Sequence, residues 1–196
     1  MIKTPHQLIN MVLVGDLTAS PANLAKADLL PLSDTSSGYL TKVSVDQLIK
    51  PVAGSITGTG VTNNLGAVGS TWTKVTGFDA VSGLGQGTTE SHSSDQITVN
   101  NPQICLVMYS VTMSNNTGAR TLGARLANDG SALAGSYAHE QSGAADGRIN
   151  VAGHALTSIA ATDVITLEVT HSTGTSTGNL TVHECVLTVI PIGPAS

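Results

Sequence analysis

One short segment carries a pattern typical of a catalytic serine. Residues 174–178 read GTSTG and place Ser176 at the centre of a nucleophile-elbow pattern. That chemistry needs a strained turn between a strand and a helix, so that the serine hydroxyl points at a base. Here the segment lies between two strand-like runs, and no acidic side chain is placed to orient the nearby His171. The segment is therefore predicted to be a hairpin loop, and the chain is not expected to be an enzyme.

Histidines are the main candidates for metal ligands, because neutral imidazole binds zinc and other transition metals. The six histidines are His6, His92, His139, His154, His171 and His183. None of them shows a spacing such as His-x-x-x-His that would place two ligands on one face of an element. His183 and Glu184 are neighbours in a predicted strand, so their side chains should face opposite ways. We expect no metal site and no cofactor, although a site on a symmetry axis, needing one histidine per subunit, stays open.

The composition argues against several classes of partner. The 196 residues include eight Lys and Arg, scattered along the chain, and the net charge is -5, which argues against nucleic acid. No run approaches the roughly 20 apolar residues of a membrane span, and the first residues do not match a secretory signal. With one Trp and three Tyr, the chain is poorly supplied for an aromatic platform that stacks on sugars.

The first fifty residues have the pattern of a small ordered segment without a core of its own. Capping boxes at Thr4 and Ser44 predict short helices, and two extended runs, DLLPLSD and YLTKVSV, flank a turn-rich TSSG. The apolar side chains are too few to offset an ordering cost of roughly 1–2 kcal/mol per residue. Residues 1–50 are therefore predicted to be an attachment segment that packs on another protein. The residues expected to make this attachment are Leu8, Ile9, Leu29, Leu30, Leu48 and Ile49.

The rest of the chain divides into a predicted neck, 51–68, and a predicted head domain, 69–196. The neck is rich in Gly and Thr and carries no charge. In the head, Asp129-Gly130 and Asp146-Gly147 fall between strand candidates, and Asp-Gly favours tight hairpins. Eight short strands at this spacing predict a β-sandwich or barrel. The strand candidates lie near 71–81, 96–99, 104–114, 120–127, 131–137, 147–156, 164–170 and 179–192.

Two of the predicted strands, 104–114 and 179–192, are apolar on both faces. In a solitary antiparallel sandwich one face of each strand should be polar and wet. A strand that is apolar on both faces needs a second cover, and another copy of the same chain is the simplest source. We therefore expect copies of the chain to associate through the inner sheet. The residues assigned to that sheet and interface are Val107, Tyr109, Val111, Leu187 and Val189.

The order of five runs resembles the tumour-necrosis-factor-like jelly roll, which is shared with the globular head of complement proteins. The resemblance covers about 69–192 and includes versions that look like phage fibre and decoration proteins. It departs from the family where Gln103 and Cys105 replace a glycine and a tyrosine. The opening DLLPLSD and YLTKVSVDQL also resemble the module at the base of tailed-phage fibres. The five runs are TWTKVTGFDAVSG, ITVNNPQICLVMYSVTM, LGARLANDGSALAGS, AATDVITLEVT and GNLTVHECVLTVIPI.

The resemblance implies a mainly β fold: a trimeric antiparallel jelly-roll sandwich, preceded by a small α+β attachment segment and a Gly-rich neck. It would also place Cys105 and Cys185 in neighbouring strands, where we expect two thiols that are close together yet reduced. The expected protein is a non-enzymatic virion protein of a tailed bacteriophage, made in the host cytoplasm and carried on the particle surface. It would be a head fibre, a capsid decoration or a short tail fibre.

The expected partners are a capsid or tail protein, through the N-terminal segment, and a host cell-surface receptor. The alternative is a cellular tumour-necrosis-factor-like recognition domain that binds a protein or a glycan. A hydrolase or lyase built on a β-sandwich is the third reading. It is the weakest, because no acid, base and nucleophile cluster is evident in the sequence.

Overall fold

The computed structural model describes residues 29–33, 40–44, 53–59, 63–66, 70–85, 87–171 and 178–194. The chain divides into two units, Met1–Lys50 and Pro51–Ser196. In the first unit, β1 (Leu29–Ser33) pairs antiparallel with β2 (Leu40–Ser44), which confirms the two predicted extended runs. The helices predicted for this segment lie outside the described residues.

The second unit is a sandwich of two antiparallel sheets. Its strands are β3 (Gly54–Gly58), β4 (Asn63–Asn64), β5 (Thr73–Lys74), β6 (Ala80–Val81), β7 (Thr88–Ser91), β8 (Gln96–Val99), β9 (Gln103–Asn115), β10 (Arg120–Asn128), β11 (Ser131–Ala132), β12 (Ala138–Ser142), β13 (Ile149–Ile159), β14 (Val164–His171) and β15 (Leu180–Pro194). Among the described residues, six strands form one sheet in the order β13-β9-β15-β3-β6, with β4 also paired to β15. Seven form the other in the order β11-β10-β14-β8-β7, with β12 paired to β10 and β5 to β14. We refer to them as the six-stranded and the seven-stranded sheet.

The hydrophobic core lies between the two sheets, as the jelly-roll prediction required. Strands β8, β9, β10, β13 and β14 coincide closely with predicted strands, because their apolar residues alternate and have one face to bury. On β9, every second side chain from Cys105 to Met113 is fully or almost fully buried. On the opposing sheet, Leu122, Leu126 and Leu167 have no exposed surface. The predicted fold class, a mainly β antiparallel jelly roll, is confirmed.

One of the two predicted Asp-Gly hairpins is present and the other is not. Asp129 and Gly130 connect β10 to β11 with φ angles of 47° and 78°, as expected for a tight hairpin. Asp146 also has a positive φ of 59°, but it lies between β12 and β13, which belong to different sheets. The prediction of a hairpin at Asp146-Gly147 was therefore wrong, because a turn dipeptide does not reveal which sheet the next strand joins.

The stretch predicted as an irregular neck contains a strand of the sandwich. Gly54–Gly58 forms β3, which pairs with β15 from Cys185 to Val189, and Ile56 has no exposed surface. Its glycines, serine and threonine give no apolar alternation, so the pairing comes from β15 and not from a local preference. The sandwich therefore begins ahead of residue 69, where the head domain was predicted to start.

A β-bulge changes the face assignment along β15. Val182 pairs with Met113 and Glu184 with Thr112, so His183 is the extra residue between two ladder pairs. Strict alternation had placed Val182 and Cys185 on opposite faces. Because the bulge shifts the alternation by one residue, both are buried in the core. The sequence therefore overstated how many apolar residues on β15 face outward.

Candidate functional site

The five residues assigned to the inner sheet and trimer interface all lie in the core of a single chain. The exposed fraction is at most 4% for each of Val107, Tyr109, Val111, Leu187 and Val189. The Tyr109 hydroxyl lies 2.9 Å from the carbonyl oxygens of both Ala124 and Ser136, and burial raises its pKa to about 12. These side chains pack against the opposing sheet. Contacts with another copy of the chain would use the opposite, outward face of the same strands.

That outward face carries an apolar band across three strands of the six-stranded sheet. Leu106 on β9 is paired with Leu156 on β13 and with Ile190 on β15, so the three form one row. Leu156 is 66% exposed and Ile192, near the end of β15, is 59% exposed. Further apolar side chains on this face are Ile104, Met108 and Val186. We call this set the outward apolar band.

Polar side chains share this face from the rows of Met108 and Val186 onward: Met108 is paired with Thr188, and Val186 with Ser110. The Asn150 amide donates to the hydroxyls of Ser110, at 3.2 Å, and Thr112, at 3.0 Å. The hydroxyls of Ser55 and Thr188, on β3 and β15, lie 3.0 Å apart. Polar groups that satisfy one another within a sheet can face water without a partner. The apolar band is therefore the part of this face that lacks cover.

The bulge brings His183 and Glu184 to the same side of β15, where alternation had predicted opposite sides. Cys185 is the next residue to point into the core, while Glu184 is exposed and His183 is half-buried. The His183 Nε2 lies 2.9 Å from the Ser114 hydroxyl. Burial and the nearby Arg148 lower the pKa of His183, while Glu184 and Asp146 act in the opposite direction. Within the described residues, no group of three or more His, Cys, Asp or Glu could hold a metal ion.

The predicted attachment residues are only partly described. Leu29 and Leu30 lie in β1 and pair with Ser44 and Val43 of β2. The other four, Leu8, Ile9, Leu48 and Ile49, lie outside the described residues. Across the described ranges, no helix is long and apolar enough to cross a membrane.

The serine of the elbow-like pattern, Ser176, also lies outside the described residues, but the strands on either side are described. β14 ends at His171 in the seven-stranded sheet, and β15 begins at Leu180 in the six-stranded sheet. The connection therefore crosses between sheets, so the predicted hairpin is wrong. It leads from one strand to another, as the sequence indicated, and not from a strand to a helix.

His171 itself is buried in the core at the end of β14. It has no exposed surface, and within the described part of the chain neither ring nitrogen has a hydrogen-bond partner. Burial, and to a lesser extent the positive charge of Arg120, lower its pKa. No described side chain orients the His171 ring as the acid of a catalytic triad would.

A cluster of rings on the seven-stranded sheet was not expected from the sequence. Trp72 lies edge-on to Tyr137, with ring centroids 5.6 Å apart. Tyr137 stacks on His139 with centroids 5.3 Å apart. The Arg125 guanidinium lies 4.3 Å from the centre of the Trp72 ring. The only signal in the sequence was the presence of a single Trp, and nothing placed it beside Tyr137.

Comparisons with known proteins find likeness in structure alone. No protein-family model matches the sequence, and no curated protein is detectably similar to it. The structure of Eiger TNF from S. frugiperda matches with a TM-score of 0.52 and 11% identity, covering 75% of this chain and 96% of that one. The globular domain of zebrafish complement 1qA protein matches with a TM-score of 0.50 and 12% identity, covering 74% of this chain and all 100% of that one. At these identities the likeness shows the jelly-roll fold and nothing about function.

Proposed function

We propose that the chain is a non-enzymatic, homotrimeric structural protein of a tailed bacteriophage particle. It would be a head fibre, a capsid decoration or a short tail fibre on the virion surface. Residues 1–50 would anchor it to a capsid or tail protein, and the jelly roll would be displayed outward. The resemblance of both parts of the sequence to phage fibre proteins motivates this reading.

The outward apolar band is the observation that carries the trimer. Leu106, Leu156 and Ile190 form a row on adjacent strands, and two thirds of the Leu156 side chain faces solvent. Burial of apolar surface contributes roughly 25 cal/mol per Å², so covering this band would stabilise an assembly. Copies arranged around a three-fold axis can each cover the band of a neighbour, and this closed arrangement leaves none of the bands exposed.

The first unit supports the idea of an anchor. Its described part consists of two antiparallel strands, β1 and β2, which form five residue pairs. An isolated two-stranded hairpin is marginally stable at best in water, and it gains stability when a third element packs against it. A segment of this kind is suited to ordering on a partner surface, which is what attachment to a particle requires.

Reconstitution on stripped particles tests the proposed attachment. Particles depleted of the protein would be incubated with the full chain or with a chain of residues 51–196, which keeps β3 and the whole sandwich. The full chain should add back to the particles, whereas residues 51–196 should fold and trimerise yet remain unbound. If the shorter chain decorated the particles equally well, residues 1–50 would not be the anchor, and the particle-binding site would lie on the jelly roll.

The second candidate is a cellular recognition domain. Its basis is the fold alone: the two matched structures are a TNF from S. frugiperda and a complement protein of zebrafish, and a shared fold does not assign a function. The genes beside this one separate the two candidates. Capsid or tail genes next to it would support a virion protein, and their absence from a complete locus would support the cellular one.

A further inference from the structure

The ring cluster lies on the outward face of the seven-stranded sheet, on the opposite side of the sandwich from the outward apolar band. On β10, alternate residues point into the core, so Gly123 and Arg125 face outward; the buried ones are Leu122, Ala124 and Leu126. Gly123 is paired with His139 of β12, and Arg125 with Glu168 of β14. Three strands of the sheet thus contribute to one surface, and Trp72 joins it immediately before β5.

The rings of this surface are held in place before any ligand binds. Arg125 is fixed on Glu168, because its Nε donates to Oε2 at 2.8 Å and its Nη2 forms an ion pair with the same oxygen at 2.7 Å. The guanidinium in turn lies over Trp72. Tyr137 lies above Gly123 so closely that a Cβ there would be 2.8 Å from its Cε2. A rigid aromatic platform loses little conformational entropy on binding, which favours affinity.

Tyr137 stands out on this face because it remains 48% exposed. Among the described residues, the other large apolar side chains that are at least a third exposed lie on the six-stranded sheet or in the loop before β7. The rings are surrounded by hydroxyl, amide and charged groups. Thr121 and Gln141, for example, are paired with each other one row away from His139. This surface therefore presents an exposed aromatic side chain with a polar rim, and not an apolar patch.

We propose that this surface binds a neutral glycan through stacking of a pyranose ring on Tyr137, beside the nearly perpendicular ring of Trp72. The C–H groups of a pyranose carry a slight positive charge, and they are attracted to the negative face of an aromatic ring. The cation in contact with the rings is compensated, because Arg125 is paired with Glu168. The Lys74 ammonium keeps its charge, but it is directed to the Ser94 carbonyl, at 2.7 Å, and to the Gln96 amide oxygen, at 3.4 Å. A ring cluster whose own cation is already paired suits a neutral sugar better than a sialylated or sulfated one.

A protein partner fits the same surface less well. Protein interfaces have a contiguous apolar core with aromatic anchors, surrounded by a polar rim. Here Tyr137 is the one largely exposed anchor, and no exposed aliphatic side chain of the described residues accompanies it on this face. Sugars need only one or two ring faces and a few hydrogen-bonding groups, which is what the surface offers.

The inference deepens the proposed function by giving the displayed jelly roll a ligand, and to that extent it rests on that function. The ring cluster and the outward apolar band occupy different sheets, so glycan binding and trimer formation can be lost separately. Particle attachment is measured on the stripped particles, whereas glycan binding is measured on the purified chain. A failure of one therefore does not imply a failure of the other.

A printed array that carries neutral, sialylated and sulfated glycans provides the first test. The purified full chain should bind a subset of the neutral glycans. The strongest of these would then be titrated while the fluorescence of Trp72, the single tryptophan of the chain, is recorded. Saturable binding should change this fluorescence. Binding to no glycan on the array, or to sialylated and sulfated glycans only, would overturn the proposal.

Variants at the ring cluster provide the second test. Tyr137→Ala should weaken binding about tenfold, because one stacking contact is lost. Tyr137→Phe keeps the ring and should bind within a few-fold of the original chain. Gly123→Ala should also weaken binding, since its Cβ would displace the Tyr137 ring. Leu84→Ala, at an exposed residue away from the cluster, is the matched control.

Circular dichroism and thermal melting would confirm that each variant is folded. Glycan affinity that is unchanged in both Tyr137→Ala and Gly123→Ala would exclude this surface. A third outcome would also overturn the proposal. If no glycan binds, but the chain retains a host protein and Tyr137→Ala does not, the surface is a protein-binding site.

Discussion

Leu106 of β9 and Leu156 of β13 lie directly opposite each other on the outward face of the six-stranded sheet. Leu156 is 66% exposed, although it continues an apolar row that includes Ile190. Sheet faces of this composition are usually covered in solution, because exposed apolar patches favour association. This pair is thus the most direct place to test whether copies of the chain assemble.

Leu156→Glu should break the trimer. Three carboxylates brought together at an apolar interface would be desolvated and would repel one another, which costs several kcal/mol. Sedimentation velocity should show a trimer for the original chain and a monomer for the variant. Leu84→Glu, at a residue 62% exposed in the loop before β7, is the matched control and should remain trimeric. An original chain that is a stable monomer would contradict the assembly itself.

Ile56→Ala should destabilise the jelly roll by about 2–5 kcal/mol, because it leaves a cavity where a fully buried side chain was. Val81 is paired with Ile56 on the neighbouring strand but is 41% exposed. Val81→Ala should therefore change the free energy of unfolding by less than about 1 kcal/mol. Urea denaturation measures both.

The same strand decides where the chain can be shortened. Residues 51–196 should fold, whereas residues 69–196 lack β3 and expose one edge of β15. If residues 69–196 melted as cooperatively and at the same temperature as 51–196, the structural role of β3 would be wrong.

The buried His171 should make the protein less stable in mild acid. Burial lowers its pKa in the folded state below the ordinary value of 6.5, so the unfolded chain binds the proton more readily. The free energy of unfolding should therefore fall as the pH drops below about 6.5, by at most about 1.4 kcal/mol per pH unit for this group, and should not change on its account above that pH.

Substitution of His171 separates its contribution from that of other groups. His171→Leu removes a buried polar ring that has no partner among the described residues, so stability at pH 7 should be maintained or increased. Its pH dependence between pH 5 and 6.5 should be flatter than that of the original chain. His92→Gln, at an exposed histidine, is the matched control. An equal slope in His171→Leu would show that His171 does not carry the effect.

Cys105 and Cys185 should both be free and unreactive in the folded protein. They lie in adjacent strands, as expected, but the expectation that they lie close together was wrong. Cys105 is opposite Pro191 and Cys185 is opposite Val111, a separation of roughly 20 Å along the strands. A disulfide needs Cα atoms within about 7 Å. Burial raises the pKa of Cys105 to about 11 and that of Cys185 to about 12.

Thiol titration with an aromatic disulfide reagent checks this. The native chain should react slowly at pH 8, because the reactive thiolate is disfavoured at both sites. After denaturation without a reductant, two thiols per chain should react. A count of zero would require a bridge between or within chains.

Those parts of the fold that local pattern specifies could be predicted from the sequence. Val107, Tyr109 and Val111 were assigned to the inner sheet from the sequence, and all three lie in the core, because alternate residues of a strand share one face. Asp129-Gly130 identified its hairpin, because few other dipeptides adopt two positive φ angles at low cost. The number and spacing of the strands indicated a sandwich or barrel, and the resemblance of five runs to the tumour-necrosis-factor-like family indicated a jelly roll.

Other features were decided only by tertiary structure. β3 has little local preference for a strand, and it exists because β15 offers it an edge to pair with. The bulge at His183 sets which residues of β15 face inward, and an extra residue in a ladder leaves no mark in local sequence. Trp72 and Tyr137 meet because β5 and β12 belong to the same sheet, a pairing between residues far apart in the chain. Local preferences act over a few residues, whereas these contacts depend on which strands become neighbours when the whole core is buried.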